Sequence, residues 1–223
     1  MAQKKLDHKN RALQIIKILK KTYPDARCSL IFANPFQLLV ATILSAQCTD
    51  ERVNKVTPLL FNKLKTPLDF SNAPIEEIEK LIRSTGFYKN KARSLKLTSQ
   101  KIVQEHGGEV PGDIEKLTQL RGVGRKTANV VLGNIFRIPG IVVDTHVGRL
   151  SRRMGFTQAQ DPVKVEFEIM EIVPRQDWVQ FNHLMIEHGR KICTARKAFC
   201  EICPVSDLCP QVGVSLLAGR KGA

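Results

Sequence analysis

The sequence has no stretch of 18 consecutive apolar residues, so no helix in it is expected to span a bilayer. No apolar h-region follows the basic start Met1-Ala2-Gln3-Lys4-Lys5, and the N-terminus does not read as a signal peptide. Six cysteines among 223 residues do not make a disulfide framework, which excludes a stapled secreted module and points to a reducing compartment. There is no internal repeat and no low-complexity linker. Acidic residues are scarce: 21 Asp and Glu stand against 35 Lys and Arg, a net charge of +14. That excess calls for a polyanionic partner, nucleic acid before a membrane surface. At 43% hydrophobic residues, the chain has enough apolar surface for one large domain or two small ones.

What is present reads almost throughout as helix. Between Asp7 and Tyr23, Leu13, Ile16 and Lys20 share one side, with Ile15, Ile18 and Leu19 widening the apolar face before Pro24 stops it. Asn34-Pro35 is an N-cap followed by a first-turn proline. The helix it starts, Phe36 to Gln47, is apolar nearly all round and so belongs in the core. Val53 to Lys63 is helical in pattern, with a kink or break expected at Pro58. Ala73-Pro74 opens another helix, and Ala92, Leu95, Ser99, Ile102 and Val103 mark the next, closed by Gly107-Gly108. Ile141-Val142-Val143 is short and reads as a buried linker rather than a strand. Val163, Val165, Phe167 and Ile169 alternate as in a strand, yet Asp161-Pro162 and the nearby glutamates favour a helix. Trp178, Phe181, Leu184, Met185 and His188 recur at helical spacing.

One stretch carries chemistry. Ile114, Leu117 and Leu120 recur every three residues, and Ala128, Val131, Leu132 and Ile135 define a second helix. Gly122-Val123-Gly124 lies between them. Two glycines permit positive φ and leave the backbone bare, so a tight turn here presents N–H groups at a helix N-terminus, where a phosphate is favoured. Such a grip holds a nucleic-acid backbone without reading bases. The plainer reading is an ordinary helical corner. Lys126 argues against it. A cation in the first helical turn, beside Arg125, faces the positive dipole end, and both features disfavour the charged amine. A lysine so placed is a candidate nucleophile, or more simply a phosphate contact.

Two further features are ambiguous on their own. Gln47, at the polar end of the apolar helix, reads as a helix-end cap. Phe87-Tyr88, following Gly86 and beside Lys89 and Lys91, is either a buried anchor or an apolar tip able to wedge into a base stack. Cys193, Cys200, Cys203 and Cys209, spaced Cys-x6-Cys-x2-Cys-x5-Cys, could converge on a structural zinc or an iron–sulfur cluster. Cys28 and Cys48 lie outside that group and read as buried, inert thiols.

The run Leu-x-Gly-Val-Gly-Arg-Lys-Thr-Ala, followed by Val142-Val143-Asp144-Thr145-His146-Val147, resembles the helix-hairpin-helix and catalytic aspartate of the endonuclease III family of DNA glycosylases. The resemblance extends from the Phe36 helix to Cys209. Arg121 departs from it, since the family usually carries proline there. The resemblance implies an all-α, two-lobed fold: a six-helix domain over 28–138 holding the hairpin, and a discontinuous helical cluster domain of 1–27 and 139–223. It implies Lys126 and Asp144 as catalytic residues facing across a cleft, and one four-iron four-sulfur cluster on the four cysteines. It also implies DNA contacts at Gln47, Phe87, Gly122, Val123, Gly124 and Arg125, and at Arg196 and Lys197 in the loop between the first two cysteines. The expected partner is double-stranded DNA with a damaged base or abasic site. The expected protein is a monomer in the cytoplasm at the nucleoid, removing oxidised pyrimidines and cutting the strand through a lysine Schiff base. Three rivals are weighed: a monofunctional adenine or mismatched-thymine glycosylase, a helix-hairpin-helix module that only grips DNA, and a cluster protein with a redox role. The first usually lacks the lysine, and its adenine branch carries a further C-terminal domain not expected after Cys209. The second leaves the pairing of Lys126 with Asp144 unexplained.

Overall fold

A computed structural model describes residues 2–214, with side chains from Asp7 onward. Among the described residues every regular element is a helix, and the only strand-like pairing is an isolated bridge between Cys193 and Ala198. The chain divides into two compact units, one discontinuous (Met1–Arg27 with Ile141–Ala223) and one continuous (Cys28–Gly140).

The discontinuous unit contains α1 (Ala2–Thr22), α9 (Thr145–Arg153), α10 (Pro162–Ile172) and α11 (Trp178–Lys191). The apolar face of α1 is Ala12, Ile15, Ile16 and Leu19, one stripe at i, i+3, i+4 and i+7. Leu13, expected on that face, is 39% exposed, and Lys20 lies at the rim with Nζ donating to Asp177 Oδ1 at 2.6 Å. Helix α10 resolves the period-two ambiguity: Asp161 caps it by accepting from Lys164 N, Val165 and Ile169 are buried, and Val163 and Phe167 face out. Ile141-Val142-Val143 is non-regular, with Ile141 and Val142 buried, as the linker reading expects.

The continuous unit contains α2 (Pro35–Leu44), α3 (Asp50–Lys63), α4 (Pro67–Asn72), α5 (Ile75–Ile82), α6 (Tyr88–Glu105), α7 (Ile114–Thr118) and α8 (Arg125–Ile135). Helix α2 is central. Asn34 caps it through Gln37 N at 2.9 Å, and Leu38 through Leu44 are all buried. Each such Leu or Ile contributes roughly 1.5–3 kcal/mol of burial. The helix ends at Leu44 rather than Gln47, because Ser45 caps it and turns its hydroxyl back to the Thr42 carbonyl at 2.9 Å. The break expected at Pro58 is absent: α3 runs through it. Pro58 is exposed, so water can meet the carbonyl left without its helical donor. Helix α4 escapes the sequence pattern for want of length, although Thr66-Pro67-Leu68-Asp69 forms a capping box.

Candidate nucleic-acid interface and cysteine centre

The hairpin between α7 and α8 is a tight turn. Val123 N–H donates to the Leu120 carbonyl at 3.1 Å, and Gly122 has φ 77°. A positive φ at the third residue is the pattern of a type II turn, in which the second residue favours proline. Arg121 holds that second position and is exposed. A Cβ on Gly122 would lie 3.0 Å from both Cβ and Oγ of Ser94, so conformation and close approach both demand glycine. Gly124 differs. Its φ is −88°, an added Cβ would meet nothing within 4 Å, and it caps α8 without a side-chain hydrogen bond. Ser or Asn would cap that helix better, so nothing within the fold requires a bare residue there.

Lys126 is exposed in the first turn of α8, which holds no acidic residue; Arg125 is half-buried. Val123 lies between the two glycines. Its side chain is buried at 4% exposure and its N–H is used in the turn, so it anchors the hairpin from below.

Two other loops of this unit end in exposed tips. Gln47 lies three residues past α2, and Phe87 precedes α6 with 63% of its surface exposed. Both occupy left-handed backbone, at φ 52° and 48°, a conformation that costs non-glycine residues of order 1–3 kcal/mol and concentrates at functional sites. Phe87 is therefore no buried anchor; its neighbour Tyr88 is half-buried against the core instead. Gly86 takes the positive φ expected of it, 69°. Lys91, beside the tip in sequence, is buried at 6% exposure.

In the discontinuous unit Asp144 is half-buried and caps α9, its Oδ1 accepting from Val147 N at 2.7 Å. Cys193, Cys200, Cys203 and Cys209 line a single cavity. Burial is the largest cause raising the thiols of Cys200, Cys203 and Cys209 above the ordinary cysteine range, and the neighbouring sulfurs raise them further. A cationic metal body among these sulfurs would reverse that balance, since thiolates are the ligand form. Among the described residues no group of three or more His, Cys, Asp or Glu closes on a single ion. Four thiols around one cavity are the donor set of a thiolate-held metal body.

Residues to which the sequence assigned no site role lie against these cysteines. On α9, Arg153 Nη1 donates to Cys193 Sγ at 3.2 Å and to the Thr194 carbonyl at 2.7 Å, and Arg149 Nη2 donates to the Cys193 carbonyl at 2.9 Å. Their i, i+4 spacing was the available signal. Burial pushes His188 on α11 down to about 4, and Tyr23, just past the end of α1, up to about 12. The Tyr23 hydroxyl lies 3.0 Å from His188 Nδ1, and His188 Nε2 lies 3.6 Å from Cys203 Sγ, so the imidazole links the phenol to the cysteine. Arg196 and Lys197 are exposed at the tip of the loop from Cys193 to Cys200, and Lys197 Nζ lies 4.9 Å from the Phe199 ring centroid. Cys28 and Cys48 are half-buried, and burial raises the Cys28 thiol.

No described helix is long and apolar enough to cross a membrane. Residues 40–175 match the HhH-GPD superfamily of base excision DNA repair proteins. Endonuclease III of Synechocystis sp. is 51% identical over 216 residues, which cover 96% of this chain and 99% of that protein. A solved non-covalent endonuclease III–DNA complex matches with TM-score 0.87 at 46% identity, over 91% of this chain and 95% of that one. A trapped endonuclease III–DNA covalent intermediate, an estranged-adenine complex, matches equally, with TM-score 0.87 at 46% identity over 91% and 96% of the two chains. With an all-helical fold, a glycine hairpin and relatives matched over nearly its full length, the chain belongs to the endonuclease III family, within the HhH-GPD superfamily of base excision DNA repair proteins.

Proposed function

We propose that the protein is a bifunctional DNA N-glycosylase and abasic-site lyase that acts as a monomer on double-stranded DNA at the nucleoid. It removes oxidised pyrimidines and then cuts the strand by β-elimination. The observation that carries this reading is Lys126, an exposed amine in the first turn of a helix that no side chain caps, close after a glycine the fold itself does not need. The damaged nucleotide leaves the base stack, since C1′ of its sugar is out of reach within the duplex. The lone pair of Lys126 Nζ forms a bond to C1′ while the base departs with the electrons of the glycosidic bond and takes up a proton. The Asp144 carboxylate stabilises the positive charge that develops on the sugar. The nitrogen then sheds a proton and the C1′–O4′ bond opens, O4′ taking up a proton, which leaves a protonated Schiff base; this acidifies the C2′ proton, whose loss expels the 3′ phosphate, and water then frees the lysine.

The hairpin around Gly122 and Gly124 grips phosphates, Gln47 and Phe87 occupy the gap in the stack, and Arg196 and Lys197 add phosphate contacts. Cys193, Cys200, Cys203 and Cys209 would hold one four-iron four-sulfur cluster, which supplies a cross-link that orders their loop. The trapped covalent intermediate of a 46% identical relative supports an enzyme that bonds to its DNA.

Borohydride reduction on duplex DNA bearing one oxidised thymine tests the reading. Wild type should give a covalent adduct and a cut strand, and Lys126→Ala neither, with much of its DNA affinity kept. An adduct from Lys126→Ala would assign the nucleophile elsewhere. Release of adenine or mismatched thymine, with oxidised pyrimidines untouched, would move the protein to the monofunctional branch.

A further inference from the structure

The left-handed tips at Gln47 and Phe87 belong to different loops, yet one buried cation reaches the base of both. Lys91 lies in the first turn of α6, and its Nζ donates to the Leu44 carbonyl at 2.8 Å and to the Thr85 carbonyl at 2.7 Å. Leu44 is the last residue of α2, three before Gln47, and Thr85 ends the 3-10 turn two before Phe87. The backbone N–H of Lys91 donates to the Phe87 carbonyl at 3.1 Å. Both loop bases thus lie within one hydrogen bond of the same nitrogen, and the second tip is also tied through the same residue's main chain.

A buried ammonium is an expensive way to fill this position. Burial lowers its pKa below the ordinary lysine value, with the Cys48 thiol opposing. A methionine of similar volume would serve a core better, because replacing a buried charge with a well-packed apolar side chain is often neutral or stabilising. What the lysine adds is several donors on one small, rotatable group, which can hold two carbonyls from different segments at a fixed separation. Backbone at positive φ in non-glycine residues persists only when the surroundings over-determine it, and Lys91 supplies that constraint for two such residues together.

We propose that Lys91 is a positioning residue that sets the spacing between the Gln47 and Phe87 tips, so that both enter one distorted duplex together. This rests on the reading of those tips as DNA contacts given above. The lysine touches neither substrate nor reacting atoms. Its effect should therefore be confined to substrates in which two strands must be held apart.

The test uses Lys91→Met in the full chain and, separately, in a Gln47→Ala/Phe87→Ala background. Base release is followed on duplex DNA with one oxidised thymine. Borohydride trapping is followed on a single-stranded abasic oligonucleotide, whose aldehyde is accessible without opening a duplex. Lys91→Met should slow base release from the duplex by about tenfold or more while single-stranded trapping stays within about twofold, and it should have little further effect in the tip-deleted background, the non-additivity expected of coupled residues. Equal losses on both substrates, or the same loss in both backgrounds, would reduce Lys91 to a general stabiliser and overturn the proposal. Lys91→Gln, which keeps a donor for one carbonyl, carries the same comparison if the methionine variant does not fold. Failure of the wild type to trap either DNA would instead overturn the enzymatic reading beneath it.

Discussion

Thr98 Oγ1 donates to the Arg121 carbonyl at 2.8 Å, joining α6 to the entry of the glycine hairpin. Thr98 is 1% exposed. Thr98→Val keeps the shape and removes the donor, leaving a carbonyl to find another partner at a cost of about 1–3 kcal/mol. The melting temperature should fall, and the dissociation constant for undamaged duplex should rise as the hairpin loosens. Unchanged binding by fluorescence anisotropy would mean the turn is held by other contacts.

Arg121 occupies the turn position that favours proline. Arg121→Pro should stabilise the protein by about 0.4–1 kcal/mol, mainly by restricting the unfolded chain. Thermal melting checks it; a lower midpoint would mean that the backbone at 121 is not in the type II conformation.

Gly124→Asn should move two properties in opposite directions. Asn is a good N-cap, so α8 should gain a few tenths of a kcal/mol. The added side chain stands in the space that a phosphate backbone would enter, so affinity for lesion and non-lesion DNA should fall together. If affinity is kept, the hairpin does not contact DNA at this residue.

At Asp144 the structure separates charge from capping. Asp144→Asn keeps an oxygen able to accept from Val147 N, whereas Asp144→Ala loses the cap as well, at ~1 kcal/mol. Both should slow base release strongly, by roughly 2.7–4 kcal/mol of barrier, as when one preorganised electrostatic contact is lost. Only the alanine variant should also melt earlier. Near wild-type base release from Asp144→Asn in single-turnover assays would show that the negative charge is not used.

Purified protein should contain about four irons, held by the four clustered cysteines. Cys203→Ser should lose iron and fold poorly, whereas Cys28→Ser, outside the cavity, should keep both iron and melting temperature. Metal analysis giving a single zinc would remove the cluster from the assignment.

The helices are legible because they rest on periodicity, caps and short-range spacing, whereas the roles proposed for Asp144, Gln47 and the cysteine cluster come from the family resemblance. Asp161-Pro162 settled a helix against a misleading alternation, and the hairpin glycines announced their turn. The burial of Lys91 is not visible in the sequence, where it is a lysine among lysines; it follows from carbonyls at Leu44 and Thr85, distant or unremarkable in sequence. Arg149 and Arg153 were missed for the same reason, since their acceptors lie some 40 residues downstream. Leu13 was assigned to the wrong face because hydrophobicity surrounds much of α1, and only packing selects the stripe.

On α6, Lys91, Ser94 and Thr98 stand at i, i+3 and i+7, so a single face of one helix meets the bases of both tips and the hairpin. Three loops surveyed from one rod share their errors. A tilt or slide of the rod would act on all three together, whereas loops referenced to separate helices would drift independently. The same arrangement makes failure collective: fraying the first turns of α6 releases the tips and then the hairpin, and the surface loses its gauge as a whole rather than one contact at a time.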